Sequence, residues 1–409
     1  MKTLIKGGTV VPVNAERDIL YNATVLIEDD TIISVGTGTP TADTGEADTT
    51  IDAGGKIVFP GFINTHNHLF QTMLKGLGDD KVLSEWFQTM TAPSAVHLDP
   101  ETVYDAAALG CLECINSGAT TNLDYMYPHP VPELSDAVIA AYRDFGMRGF
   151  FGRGMIDTGE GTPREIMQDA AAVEKDIVRL VDRYHNSSGG KIRIWLAPAA
   201  GWLASDAMLR MTWEAAQTYG LGYTIHISET PFDREATMRL HGKSDAELLQ
   251  HLGIVGPNVL MVHCVYLTER DMRMAKYYNM PVSHNPVSNM YLASGVAPVP
   301  RMVEAGITVG LATDGAASNN TNDMLEVIRM TPLLHKVAAT DSTILTAYKV
   351  LEMATIDGAR ALGIDRETGS IEAGKKADLV IYNPRNSAKS VPMHNPVSTV
   401  VYGGSEKCI

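Results

Sequence analysis

Cysteine is scarce: four in 409 residues cannot build a disulfide framework. Cys111 and Cys114 form a C-x-x-C, but it falls inside the helical pattern DAAALGCLECINSG. A redox thiol gains its low pKa at a helix start, so both are expected as buried packing residues. No window approaches the roughly 18 unbroken apolar residues of a membrane helix. Positive charge is also in deficit, with 33 Lys plus Arg against 48 Asp plus Glu, a net charge of −15. That field repels phosphate backbones and anionic headgroups, so neither nucleic acid nor a membrane is expected as a partner. The first residues, MKTLIKGGTVVPVNAERD, lack a signal-peptide h-region and read as strand, Gly-Gly turn, strand; a cytoplasmic location is expected. No G-x-G-x-x-G opens a helix after an early strand, which counts against an open dinucleotide-binding sheet. Fixed-period repeats and low-complexity linkers are missing as well.

What is present is a globular composition, 45% hydrophobic and 20% charged, and a long alternation of short β-branched runs with helical stretches. The runs cover 57–66, 119–124, 148–155, 192–199, 222–228, 259–265, 280–286 and 308–314. Stretches such as PETVYDAAALGCLECINSG, with Pro at the start and Gly past the end, separate them as helices. Eight βα units predict an α/β fold, a (β/α)8 TIM-like barrel over 57–364. Residues 1–56 hold short strands joined by Gly, Asp and Asn turns, and SIEAGKKADLVIY and STVVYGG resume that style near the end. Residues 1–56 plus 365–409 are therefore expected to form a small β-sandwich domain, reached through a helix over 344–363.

In such a barrel the active site lies at the C-terminal ends of the strands. Strand one ends in His66, Asn67 and His68, with the two imidazoles at the i, i+2 spacing that shares a strand face. Strand five ends in His226 followed by Glu229, strand six in His263, strand seven in His284 and Asn285, and strand eight in Asp314. Imidazoles and a carboxylate suit zinc or ferrous iron, and three His with one position left for water is the usual layout of a hydrolytic metal site. The remaining histidines, His97, His129, His185, His241, His251, His335 and His394, have no partner at ligand spacing.

The segments PGFINTHNH, HISE, HCVYL, SHNPVSN and TDGAASNN, in this order, resemble the amidohydrolase superfamily, in its branch of cytosine and guanine deaminases, S-adenosylhomocysteine deaminases and triazine hydrolases. The resemblance spans nearly the whole chain. The tail LEMATIDGARALGIDRETGSIEAGKKADLVI is similar to that of triazine chlorohydrolases and melamine deaminase. It implies His66, His68, His226 and Asp314 as ligands of one divalent ion, zinc before iron, because the branch lacks a bridging carboxylated lysine and no strand run here ends in Lys. Glu229 and His263, with Asp314, match the catalytic set. It also implies a homo-oligomer, a dimer or tetramer, and one more strand and a closing helix beyond GGSEKCI.

A divalent ion lowers the pKa of bound water from about 15.7 toward roughly 7. Glu229, three residues past a ligand, is placed to carry a proton from water to a ring nitrogen and on to the leaving group, while His263 stabilises developing charge. Substrate contacts are expected from Gln71, whose amide donates and accepts at once, from Trp86, Phe87 and Trp202 as flat surfaces, and from Arg153, His284 and Ser318. Arg153 has an alternative as the partner of a neighbouring acid. Nucleoside deaminases of the branch carry a Glu two residues after a Pro in the loop following strand one, and a His after the strand-four Pro. This chain has Ala95 after Pro93 and Ala199 after Pro198. The expected activity is therefore deamination of a small aminated N-heteroaromatic ring such as cytosine, 5-methylcytosine, guanine or an aminotriazine. s-Triazine dechlorination is the runner-up; a nucleoside or S-adenosylhomocysteine deaminase, or an inactive binding module, stands behind both.

Overall fold

The computed structural model describes residues 1–38 and 47–409. In chain order the strands are β1 (Lys2–Val10), β2 (Leu20–Glu28), β3 (Thr31–Thr37), β4 (Thr49–Asp52), β5 (Ile57–Pro60), β6 (Phe62–Asn67), β7 (Ala119–Met126), β8 (Arg148–Met155), β9 (Ile192–Pro198), β10 (Gly222–Ile227), β11 (Val259–His263), β12 (Val282–His284), β13 (Val309–Leu311) and β14 (Leu379–Tyr382). Strands β6 to β13 run in sequence order as one parallel sheet with helices between them, the TIM-like barrel that eight βα units predict. The seam between β13 and β6 is closed by side chains at the catalytic end. Asn64 Nδ2 donates to Thr313 Oγ1 (2.8 Å), Thr313 N–H to Asn64 Oδ1 (3.1 Å) and Asp314 N–H to the His66 carbonyl (3.1 Å). Closure therefore sets His66 beside Asp314.

The second sheet runs β14-β5-β1-β2-β3, with β4 also pairing β1, so both ends of the chain build it. Its apolar face is small and separate: Ile5, Val10, Val25, Ile32, Val58 and Ile371 pack together. Three sequence expectations shift here. The run 57–66 is two strands, because β5 pairs with β1 and β14 and only β6 enters the barrel. The break falls at Gly61, where a β-carbon would lie 2.1 Å from Thr120 Oγ1, so the chain crosses too close for any side chain. STVVYGG lies largely in a helix, Pro396–Gly403, capped by the Asn395 side chain accepting from Ser398 N–H with Pro396 in the first turn. The stretch 344–363 is two helices, Ala347–Ala354 and Ile356–Ala361, interrupted at Thr355.

Cys111 and Cys114 are free and buried in the helix Pro100–Asn116; burial pushes both thiols up, Cys114 to about 12, which leaves them unreactive. Among the described residues no helix is long and apolar enough to cross a membrane.

Candidate active site

Each strand end delivers its residue through a local constraint. His68 follows β6 and gives its Nδ1–H to the Tyr125 carbonyl at 2.6 Å; His226, in β10, gives its Nδ1–H to the Ala199 carbonyl. These bonds fix the tautomer, so each Nε2 points a lone pair the other way. The lone pairs converge. His66 Nε2 and His68 Nε2 each lie 3.3 Å from Asp314 Oδ1, and His226 Nε2 lies 3.3 Å from His66 Nε2. Ligands about 2.0–2.1 Å from a tetrahedral ion stand about 3.3–3.4 Å apart, which these three separations match; the ligand atoms of His66, His68 and Asp314 lie within 4.8 Å of one another, and so do those of His66, His226 and His263. Burial drives His66 down to about 4 and His68 to about 3, and holds His226 well below its ordinary value, so all three imidazoles are neutral near pH 7, as ligands must be. His68 and His226, whose ring protons are held at Nδ1, present bare Nε2 lone pairs to the cluster, and a cation satisfies them. His66, His68 and Asp314 are therefore a group that could hold one divalent ion, with His226 beside them at His66.

Glu229 and His263 flank this cluster, with Glu229 Oε2 3.5 Å from His263 Nε2, which is 3.8 Å from Asp314 Oδ2. Burial pushes the Glu229 carboxyl above its usual range, and the charge of Asp314 adds to this, while His263 and the hydroxyl of Ser294, 2.9 Å from Oε1, oppose it. For His263, burial works downward, but the charges of Glu229 and Asp314 and a 2.9 Å bond from Nδ1–H to Asn289 Oδ1 outweigh it. His263 (φ 66°) and Asp314 (φ 67°) both adopt left-handed backbone, as does Ser228 (φ 48°) just before Glu229. Such conformations cost about 1–3 kcal/mol each and persist only where neighbours hold them.

A cavity opens above the cluster, with His68, His226, Glu229, His263 and Asp314 at its floor. Leu83, Trp86, Phe87, Trp202 and Leu203 wall it, and among the described residues no Lys or Arg lines it. Phe87 meets Trp202 edge-on at 5.5 Å, and Trp86 Nε1–H donates to the Ala317 carbonyl at 2.9 Å, tying the segment 83–95 to the loop after β13.

Trp86, Phe87, Trp202 and Ser318 thus lie on the cavity, as do His68, His226, Glu229, His263 and Asp314. Three expected substrate contacts do not. Arg153 pairs with Asp176 at 2.7 Å on the helix Ala170–Tyr184, outside the barrel. His284 turns away because alternation along β12 sends Ser283 to Thr65 across the barrel and His284 to His335, 3.0 Å away on the helix Met324–Ala339. Gln71 is buried behind Tyr127, donating to its hydroxyl at 3.1 Å, and it fills the space that a β-carbon on Gly315 would need. His335, read as partnerless, is the partner of His284.

Several supporting groups escape a sequence reading. Asn289 and Asn285 meet His263 Nδ1, Ser288 donates to Asp314 Oδ2 at 2.6 Å, and Tyr127 and Asp233 line the cavity. The segment SHNPVSN, one of those that carry the family resemblance, holds three of these, Asn285, Ser288 and Asn289, at the helical spacing i, i+3 and i+4; Asn285 was already singled out at the end of strand seven, Ser288 and Asn289 were not.

A family model described as the amidohydrolase family matches residues 57–407. The chain is 37% identical over 403 residues to a 5-methylthioadenosine/S-adenosylhomocysteine deaminase of Syntrophomonas wolfei, covering 98% of this chain and 90% of that protein. It is 39% identical over 402 residues to a 5'-deoxyadenosine deaminase of Methanothermobacter thermautotrophicus, covering 98% and 89%. A crystal structure of an adenosine deaminase from Xanthomonas campestris with bound zinc superposes with a TM-score of 0.91 at 29% identity, covering 99% of this chain and 90% of that one.

Proposed function

Because the chain belongs to the amidohydrolase family and is a deaminase, a hydrolase acting on C–N bonds, we propose that it removes the exocyclic amine of a 6-aminopurine ring carried by an adenine nucleoside, with zinc as the metal. The observation that carries the reading is the closeness of Glu229 and His263 beside the buried cluster of His66, His68, His226 and Asp314 at the floor of an aromatic cavity. His66, His68, His226 and Asp314 would hold the ion, which when bound lowers the pKa of a coordinated water toward neutrality.

The chain's own groups do the rest. Glu229, anchored at Oε1 by Ser294, leaves Oε2 free to take a proton from water and pass it to the ring nitrogen next to the amine-bearing carbon. As water adds to that carbon the ring nitrogen gains the proton; the second proton then goes to the amine, ammonia departs, and a ring carbonyl remains. His263, held by Asn289, stabilises the charge that grows on the attacking oxygen. Trp86, Phe87 and Trp202 provide apolar faces for a neutral ring and exclude water from it. The absence of any cationic lining residue suits a neutral ring over an anionic one.

The relatives named for 5'-deoxyadenosine, methylthioadenosine and S-adenosylhomocysteine favour the nucleoside that the sequence alone set aside. A free aminated base remains a second reading on two observations: Ala199 lines the cavity where nucleoside deaminases of the branch carry a His, and Ala95, where they carry a Glu, is fully buried. The test is ammonia release from 5'-deoxyadenosine, methylthioadenosine, adenosine, guanine, cytosine and melamine, with protein of known metal content and Glu229→Gln as control. Turnover of the adenine nucleosides, lost in the control, supports the proposal. Turnover of guanine, cytosine or melamine alone overturns the nucleoside and selects the free base.

A further inference from the structure

We infer that Asp245, which does not touch the cavity, is a positioning residue that sets Glu229 through Ser228; the inference rests on Glu229 being the proton carrier. Ser228 immediately precedes Glu229 and holds φ 48°, a left-handed conformation that a residue with a β-carbon adopts only under constraint. On the carbonyl side Tyr266 N–H donates to Ser228 O at 2.9 Å, and on the amide and hydroxyl side the constraint is Asp245. Its Oδ2 accepts from Ser228 N–H at 3.1 Å and from Ser228 Oγ at 2.9 Å, and its Oδ1 accepts from Thr237 Oγ1 at 2.7 Å. The next two amides turn to a second carboxylate, Asp233, whose Oδ2 accepts from Glu229 N–H (2.8 Å) and whose Oδ1 accepts from Thr230 N–H (2.7 Å). Three consecutive backbone N–H groups are thus gripped by two buried acids, and the side chain of Glu229 leaves the turn in one direction.

The two acids differ in what else explains them. Asp233 completes the capping box of the helix Pro231–His241 with Thr230, so its own helix accounts for it. Asp245 begins the helix Asp245–Leu252, whose capping box is Ser244 with Glu247, so that helix makes no use of the Asp245 carboxylate. Asp245 is 2% exposed and, among the described residues, forms no ion pair with Lys or Arg. An unpaired buried acid is costly unless its oxygens are filled by donors, and two of its three donors belong to Ser228. The loop carrying Trp202 closes on the same group: a β-carbon at Gly201 would sit 3.2 Å from Asp245 Oδ1.

The test separates a clamp on Ser228 from general support of the fold. Asp245→Ala, Asp245→Asn, Glu229→Gln and the double variant Asp245→Ala with Ser228→Gly are assayed for kcat, KM, Tm and metal content, on whichever substrate the wild-type protein turns over. Misplacing a catalytic group by about 1 Å costs on the order of 100-fold, so Asp245→Ala is expected to lower kcat about 10- to 100-fold with KM within about threefold. Glycine takes a positive φ freely, so the double variant is expected to recover most of the lost kcat. Should Asp245→Ala not fold, Asp245→Asn, which keeps one acceptor oxygen, is expected to show a smaller kcat loss at near wild-type Tm. Unchanged kcat in a folded Asp245 variant, a rise confined to KM, or a double variant no better than Asp245→Ala overturns the inference. Full activity in Glu229→Gln overturns the proton-carrier reading instead, so the two failures are distinct.

Discussion

Asn289 makes one side-chain bond of consequence, and removing it tests how His263 is held. Asn289 is 1% exposed, its Oδ1 accepts from His263 Nδ1–H at 2.9 Å, and among the described residues its Nδ2 has no partner. The competing neighbour is Asn285, whose Nδ2 lies 3.3 Å from the same ring nitrogen. In Asn289→Ala the acceptor for Nδ1–H disappears and Asn285 Nδ2, itself a donor, is left facing that nitrogen, which disfavours the doubly protonated ring whose Nε2–H would meet the attacking oxygen. A hydrogen bond to a group that carries charge during turnover is worth about 1.5–3 kcal/mol. At 1.36 kcal/mol per factor of ten, kcat should fall by about 10- to 100-fold. Asn289→Asp keeps an acceptor at the same place and is expected to lose less than Asn289→Ala. The assay is ammonia release at saturating substrate, with Tm and metal content measured on each variant. Wild-type kcat and kcat/KM in a folded, metal-loaded Asn289→Ala protein would show that the Nδ1 bond does not govern the reaction.

Metal removal should act on stability as well as activity, because an ion that binds only the folded chain adds about 4 kcal/mol at a thousand times its Kd. Chelation is therefore expected to lower Tm by several degrees, with zinc restoring it, while His226→Ala shows neither substantial metal nor a zinc-dependent Tm; equal Tm with and without zinc counts against the four-ligand site. The active form of Glu229 is its carboxylate, whose pKa burial raises and the charge of a bound ion opposes, so kcat/KM is expected to show an acid limb, with activity present above that pKa and lost as pH falls through it. A pH profile with no acid limb counts against Glu229 as the proton carrier. Trp86→Phe keeps the flat surface but deletes the 2.9 Å bond to the Ala317 carbonyl, about 1 kcal/mol, so KM is expected to rise about fivefold with kcat nearly constant, and an unchanged KM shows that the segment 83–95 is held without it.

The strand ends His66, His68, His226, Glu229, His263 and Asp314 were legible in the sequence because a βα barrel puts the C-terminal ends of its strands on one face, and each such residue sits within a few positions of a recognisable apolar run. The eight-unit barrel followed from the same alternation. The direction of a side chain was not legible, because alternation has period 2 and a one-residue change of register reverses the face. Hence Arg153 and His284, both at strand ends, turn to Asp176 and His335 on surrounding helices, whereas Asn285 reaches His263. The helix over Pro396–Gly403 was hidden by β-branched residues whose local preference lost to the cap at Asn395. The supporting bonds were hidden more deeply. Ser294 to Glu229, Asn289 to His263 and Asp245 to Ser228 join residues 65, 26 and 17 positions apart, and no local pattern records them. Sequence by itself determined which chemical groups stand at the barrel mouth, since that depends on short-range periodicity. Tertiary structure decided which of them meet, in which tautomer and on which backbone strain, since those depend on where distant segments close on one another.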